Sequence, residues 1–428
     1  MINKEHLLPL CFALSSATFG YFAIPMIQSG LDMVDPNVQT TCQFSPVTFT
    51  HVDAVDRFLC IVVAFFQRAM DDYIGLKVTH VLLGLFGTVQ AIMAVEGSRN
   101  GYSKYHIMTW FMFWGMLANV LTIALVSSLL WMPLFVLTSR SFVSRTKQPT
   151  NADSSIDDNS VPVMVSPARS TAILVSLLAG YGLPSLLMTT ELVADFDSSL
   201  ALQFITVWQF APILVQLLYT GLTWIFTPLL KDDRVMPLIE EDTTTTTTLT
   251  QTTLTETTEV SSSSSTTTTK RVDVIMTEDD ENNDGDVNQQ RQRIRMAQSK
   301  ASVEQLYLIL AVTNLLIYYG SLALIKMDGV HLKDSLIMVL TKTLPSANLT
   351  PVEVAQFFSG HVLLLDLLVV TTVFSMWSLY EDGVLVFLCV LLGLIVIGPG
   401  SSLSIYCLYR EQRIQKPENL KLRIKKSN

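Results

Sequence analysis

The sequence predicts an all-α protein, a polytopic transmembrane helical bundle of about eight or nine spans. Three observations carry this. The 428 residues have a mean hydropathy of +0.41. Only 15% of them are charged, where a soluble domain carries about 25%. The apolar residues fall in long blocks, several of them near the roughly 20 residues that cross about 30 Å of hydrocarbon.

The formal net charge of −9 comes largely from acidic loops, and the extreme C-terminus is basic. No basic domain is present that would bind nucleic acid. The five cysteines are Cys11, Cys42, Cys60, Cys389 and Cys407. They form neither a disulfide framework nor a CxxC metal site. There is no acid-rich magnesium motif, no GxSxG, no HExxH and no phosphate-binding glycine loop. No cofactor and no metal are expected.

In chain order, residues 7–27 form the first apolar run. It continues past the small residues Ser15, Ser16 and Ala17, beyond the usual signal-peptide core, so it reads as an uncleaved anchor. Residues 28–50 are polar, with Asp35-Pro36 and Ser45-Pro46 as turn signals. Residues 51–101 read as a tight helical hairpin in lipid. Its apolar runs, 58–66 and 78–95, are bracketed by Asp53/Asp56/Arg57, Arg68/Asp71/Asp72 and Glu96/Arg99.

Residues 105–137 are apolar throughout and too long for one upright span, and Pro133 is expected to kink or end the membrane portion. The aromatic start of this run suits a membrane interface. A span over 171–189 is interrupted at Gly180-Tyr181-Gly182-Leu183-Pro184. Residues 200–230 follow, where Trp208-Gln209-Phe210-Ala211-Pro212 sets a polar amide beside a helix-distorting proline. Residues 231–300 combine Thr and Ser homopolymer with an acidic run, a composition that cannot offset chain entropy by burial. They read as a disordered linker. Three further runs, 303–325, 352–379 and 384–408, complete the chain. The domains expected are 1–230 and 301–409 as transmembrane blocks, 231–300 as linker and 410–428 as basic tail.

Basic residues flank both 138–170 and 231–300, which places both loops on the cytoplasmic side. Asn348-Leu349-Thr350 then falls in a lumenal loop. Three full crossings after the linker would leave the basic tail outside. If 384–408 instead dips in and returns at Gly398-Pro399-Gly400, the tail is cytoplasmic, and the sequence leaves both alternatives open.

Three acids are candidates for chemistry. Asp366 lies near the middle of a span, where an acid is expensive and is a functional candidate by default. A neutral buried carboxylic acid there can donate a proton. His361, five residues earlier, is about 140° round the helix and does not share its face. Asp56 and Glu96 are two crossings apart, hence on one side of the membrane, and are expected to face one polar cavity; Arg99 can pair with Glu96 at i,i+3. Glu191, Asp195 and Asp197 form a third set, on a loop. Membrane-embedded acids among many aromatic rings suit protonation of an alkene or epoxide, with the rings stabilising the cation.

The stretch Asp56-Arg57-Phe58-Leu59-Cys60, the pair Phe65-Phe66 and the end Glu96-Gly97-Ser98-Arg99 resemble fungal integral membrane proteins of secondary-metabolite gene clusters. These are the paxilline-synthesis-protein-A type of indole-diterpene pathways and the related meroterpenoid membrane terpene cyclases. The resemblance covers roughly residues 50–230. It implies a cyclase in which membrane acids, here Asp56 and Glu96, protonate an epoxidised prenyl chain, or an accessory protein of such a pathway. It also implies a prenylated small-molecule substrate, other membrane biosynthetic enzymes as partners, and the endoplasmic reticulum membrane as location. The linker is a departure from the compact seven-span cyclases. The competing reading is a proton-coupled small-molecule transporter using Asp366, or a non-catalytic scaffold, although no internal repeat relates the two halves.

Overall fold

The computed structural model describes residues 4–32, 42, 50–103, 105–138, 164–190, 198–230, 284–341 and 349–415. The described residues are helical and contain no strand. Among the described residues, six helices are long and apolar enough to cross a membrane, which does not confirm the eight or nine spans expected. The protein is accordingly a membrane protein.

The reference span is α3, Tyr73–Gly97, which is capped at its start by the Asp72 carboxylate accepting from Gly75 N–H at 2.6 Å. It runs from an Asp72 end of the bundle to a Glu96 end. Beside it runs α11, Pro351–Asp382, started by a Thr350/Glu353 capping box with Pro351 in the first turn. Gly360 packs on Gly75 at one end, and the Glu381 and Glu96 carboxylates share Arg410 at the other, so the two helices are parallel. Helix α1, Lys4–Leu31, is antiparallel to them: Phe12 stacks on Tyr380 and Gly30 meets Val362. It packs as a member of the bundle, with Ser16 Oγ donating to Ser128 O at 2.8 Å.

Helix α1 therefore ends, and α3 begins, at the same end of the bundle. The intervening α2, Asp53–Asp71, makes no net crossing. It is amphipathic, with Leu59 and Val63 buried and Asp53, Arg57 and Gln67 exposed, and it falls short of the apolarity of a span. This corrects the expected two-span hairpin. Cys42 and Cys60 form a disulfide between the α1–α2 connection and α2, a pairing that their unrelated settings in sequence concealed.

The apolar stretch after α3 is broken at Thr122, not at Pro133. Helix α4, Phe111–Leu121, descends from the Glu96 end, where Gly97 packs against Met108. Its 11 residues extend roughly 16 Å, half the hydrocarbon thickness. Thr122 then takes φ 74 and ψ 149, and α5, Ile123–Thr138, returns. Trp131 stacks on Phe374, Phe135 meets Trp377 edge-on, and the Tyr102 and Thr138 hydroxyls meet at 3.4 Å, back at the Glu96 end.

Helix α6, Pro167–Thr189, crosses through a π turn at Leu178–Gly182. Helices α7, Ser198–Gln209, and α8, Ala211–Leu229, return with a break at Phe210. Helix α9, Asp284–Met327, crosses next, and α10, Leu332–Thr341, follows it. Of the expected linker, residues 231–283 lie outside the described residues, whereas 284–300 are the first turns of α9. The last apolar run is a second hairpin that dips in and returns. Helix α12, Val384–Val396, ends where Gly398 takes φ 84, and α13, Pro399–Ile414, runs back beside it, with Ser402 Oγ donating to Val390 O at 2.9 Å. Tyr318 and Tyr319 of α9 donate to Ile395 O and Val396 O, carbonyls freed where α12 stops.

Candidate active site

The splay between α2 and α3 opens a cavity of about 320 Å³. Its walls come from α2, α3, the α4–α5 break, the α7–α8 break and α11. Five aromatic side chains line it: Phe58, Phe65, Phe66, Phe86 and Trp208. Four of them, Phe65, Phe66, Phe86 and Trp208, pack as a connected group, with Phe66 against Trp208 at 5.2 Å and Phe86 against Trp208 at 6.0 Å between ring centroids. Trp208 is fixed by its indole N–H donating to Ser185 Oγ at 2.9 Å. The polar wall groups are Thr79, Asn119, Thr122, Gln209 and Asp366. No Lys, Arg or His is among the lining residues. Leu31, Phe58, Ile61 and Val120 line the cavity and are themselves exposed, so its mouth is apolar.

Among the described residues, Asp366 is the single carboxyl in this wall. It is buried, and its Oδ1 accepts from the Ala124 N–H at 3.3 Å. That N–H belongs to the first turn of α5, where helical donors lack intrahelical partners and the helix dipole favours an oxygen acceptor. The non-helical backbone at Thr122 is thus matched to the acid, and it lies where a cavity shields it from lipid. His361 points elsewhere, with Nδ1 2.7 Å from Val339 O.

The structure does not bring Asp56 and Glu96 to one cavity, and neither lines the cavity that holds Asp366. The reason is topological: without a crossing by α2, the two acids do not share a side. Asp56 Oδ1 accepts from Thr50 N–H at 2.7 Å and from Thr50 Oγ1 at 2.8 Å, which fixes the entry into α2. Glu96 belongs to a buried ion network. Arg99 donates to Glu96 at 2.7 Å and to Glu411 at 2.8 Å, Arg410 donates to Glu96 at 2.8 Å, and Arg410 and Arg413 both reach Glu381 at 2.7 Å. Burial opposes the charge on Arg99, but Glu411 and Glu96 outweigh it and raise its pKa. Fifteen residues, roughly 22 Å of helix, separate this network at Glu381 from Asp366. Glu191, Asp195 and Asp197 lie outside the described residues.

The sequence profile of the CtvD domain matches residues 10–263, more than half of the chain. The chain belongs to the CtvD domain family. By its name, this family points to a role in fungal secondary-metabolite biosynthesis. Searches of the curated proteins and of the solved structures found no match. The CtvD domain supplies most of the cavity, from Leu31 to Gln209. Asp366, Val362 and Leu363 come from beyond it, so the acid is contributed by the C-terminal block.

Proposed function

We propose that the protein is a membrane-embedded terpene cyclase of fungal terpenoid biosynthesis, of the indole-diterpene or meroterpenoid kind, with Asp366 as the initiating acid. The observation that carries this reading is one carboxyl group set in the wall of a mainly apolar, aromatic cavity. The Asp366 O–H gives its proton to the epoxide oxygen of a prenyl chain. The C–O bond cleaves to a hydroxyl and a carbocation, and neighbouring alkenes close carbon–carbon bonds onto it. Loss of a proton from the last cation and reprotonation of Asp366 restore the starting state, so the reaction is an isomerisation. The rings of Phe58, Phe65, Phe66, Phe86 and Trp208, which line the cavity, stabilise the migrating charge. The apolar mouth suits a lipid-soluble chain.

The test is Asp366→Asn in cells that make the product. Loss of a general acid lowers turnover by about 10²–10⁴-fold. The expected result is normal protein abundance, vanishing cyclised product and accumulation of the linear precursor. Cyclised product trapped inside the cells would instead favour transport, and unchanged product would remove Asp366 from the chemistry.

A further inference from the structure

Gln209 carries an unexplained pair of polar atoms. It is 3% exposed, it lines the cavity, and among the described residues neither its side-chain Oε1 nor its Nε2 has a hydrogen-bond partner. Buried amides are nearly always satisfied, because leaving both halves unpaired forfeits the bonds they make with water. The surroundings hold its backbone in place. Gln209 ends α7, where the backbone breaks at Phe210 before Pro212. Its backbone carbonyl accepts from Asn119 Nδ2 at 2.8 Å, which ties the break to α4. Pro212 packs on Gly115 of the same helix. Its chain neighbour Trp208 is pinned to Ser185. The amide is therefore presented to the cavity from a fixed backbone.

We infer that Gln209 is the positioning residue for the polar end of the substrate, and that this end carries a hydroxyl or another group that both donates and accepts a hydrogen bond. An amide offers a donor and an acceptor side by side, so a group of only one kind would leave half of it unpaired. The inference rests on the cyclase reading for the word substrate, but the binding site stands without turnover. With Gln209 holding the polar end and Asp366 in the same cavity, the chain would enter in one direction only.

The test is binding of three probes to the purified full-length protein in detergent: farnesol, its methyl ether, and the saturated hydrocarbon farnesane. Comparing the ratio of their Kd values between wild type and Gln209→Leu cancels partition into micelles. We expect farnesol to be favoured over farnesane at least tenfold more strongly in wild type than in Gln209→Leu, with the methyl ether between them. We expect no loss of Tm in the variant, since an unpaired buried amide is being removed. If Gln209→Leu does not fold, the unbranched Gln209→Met is read in its place. The same Kd ratio in variant and wild type overturns the inference, as does a fall in Tm with no change in the ratio. Absence of turnover in wild type together with an intact farnesol preference would sink the cyclase reading and leave this site standing.

Discussion

At the scale of residues, the acids of this chain divide by their surroundings. Asp366 faces a cavity, whereas Glu96 faces cations. Removing one member of a buried ion network leaves its partners uncompensated and costs about 3–5 kcal/mol. Glu96→Ala is therefore expected to lower the Tm in detergent sharply and to reduce abundance, whether or not turnover is assayed. Asp56→Asn keeps an oxygen acceptor for Thr50 but removes its charge, and is expected to cost about 1 kcal/mol, with the cyclised product still formed. Loss of product from well-folded Asp56→Asn would return that acid to the chemistry. Asp366 was legible in the sequence because an acid amid Leu363-Leu364-Leu365 and Leu367-Leu368 is costly in lipid and marks a site by default. Gln209 was visible beside Pro212, but nothing in the sequence showed that its amide lacks a partner. Glu96 misled because Arg410, which shares its carboxylate with Arg99, lies more than three hundred residues away, as does Glu411, the second carboxylate on Arg99.

At the scale of elements, the two long apolar runs determine the architecture, and both fold back on themselves. The second was readable as one of two alternatives, since Gly398-Pro399-Gly400 marks a break. Gly398 has φ 84, and a Cβ there would lie 2.5 Å from Tyr318 Cγ. Gly398→Ala is expected to destabilise the α12–α13 hairpin by at least about 1–3 kcal/mol, read as a lower Tm or loss of folded protein. A variant as stable as wild type would mean that the turn is not held against α9. The first break was hidden. Thr122 is β-branched and adopts a positive φ without glycine, while Pro133, the visible signal, sits inside a continuing helix. What holds Thr122 in this conformation is tertiary: the Ala124 N–H is bound by Asp366, and α4 and α5 pack into the surrounding helices. Local sequence carries no trace of such a constraint.

At the scale of the whole molecule, the class of fold was legible from composition and block length, and the span count was not. Counting apolar blocks treats every long run as crossings, and it counted α2, which is amphipathic. The topology resolves the conflict between the basic tail and the positive-inside rule. The six candidate spans among the described residues are an even number, and both described termini lie at the Glu96 end, together with Arg99, Arg169, Arg410 and Arg413. That end is expected to be cytoplasmic, with the Cys42–Cys60 disulfide on the opposite, oxidising side. Epitope tags at the two termini should give the same response to protease in sealed microsomes. Opposite responses would require an odd number of crossings and would break the topology.

The central claim is that one acid in an aromatic membrane cavity starts a cyclisation. Its most direct measurement supplies an epoxidised prenylated precursor to microsomes containing wild type, Asp366→Asn or Glu96→Gln, normalised to folded protein. The account predicts cyclised product from wild type, none from Asp366→Asn, and product in proportion to the surviving protein from Glu96→Gln. Undiminished product from Asp366→Asn, or loss of product from well-folded Glu96→Gln, would contradict it.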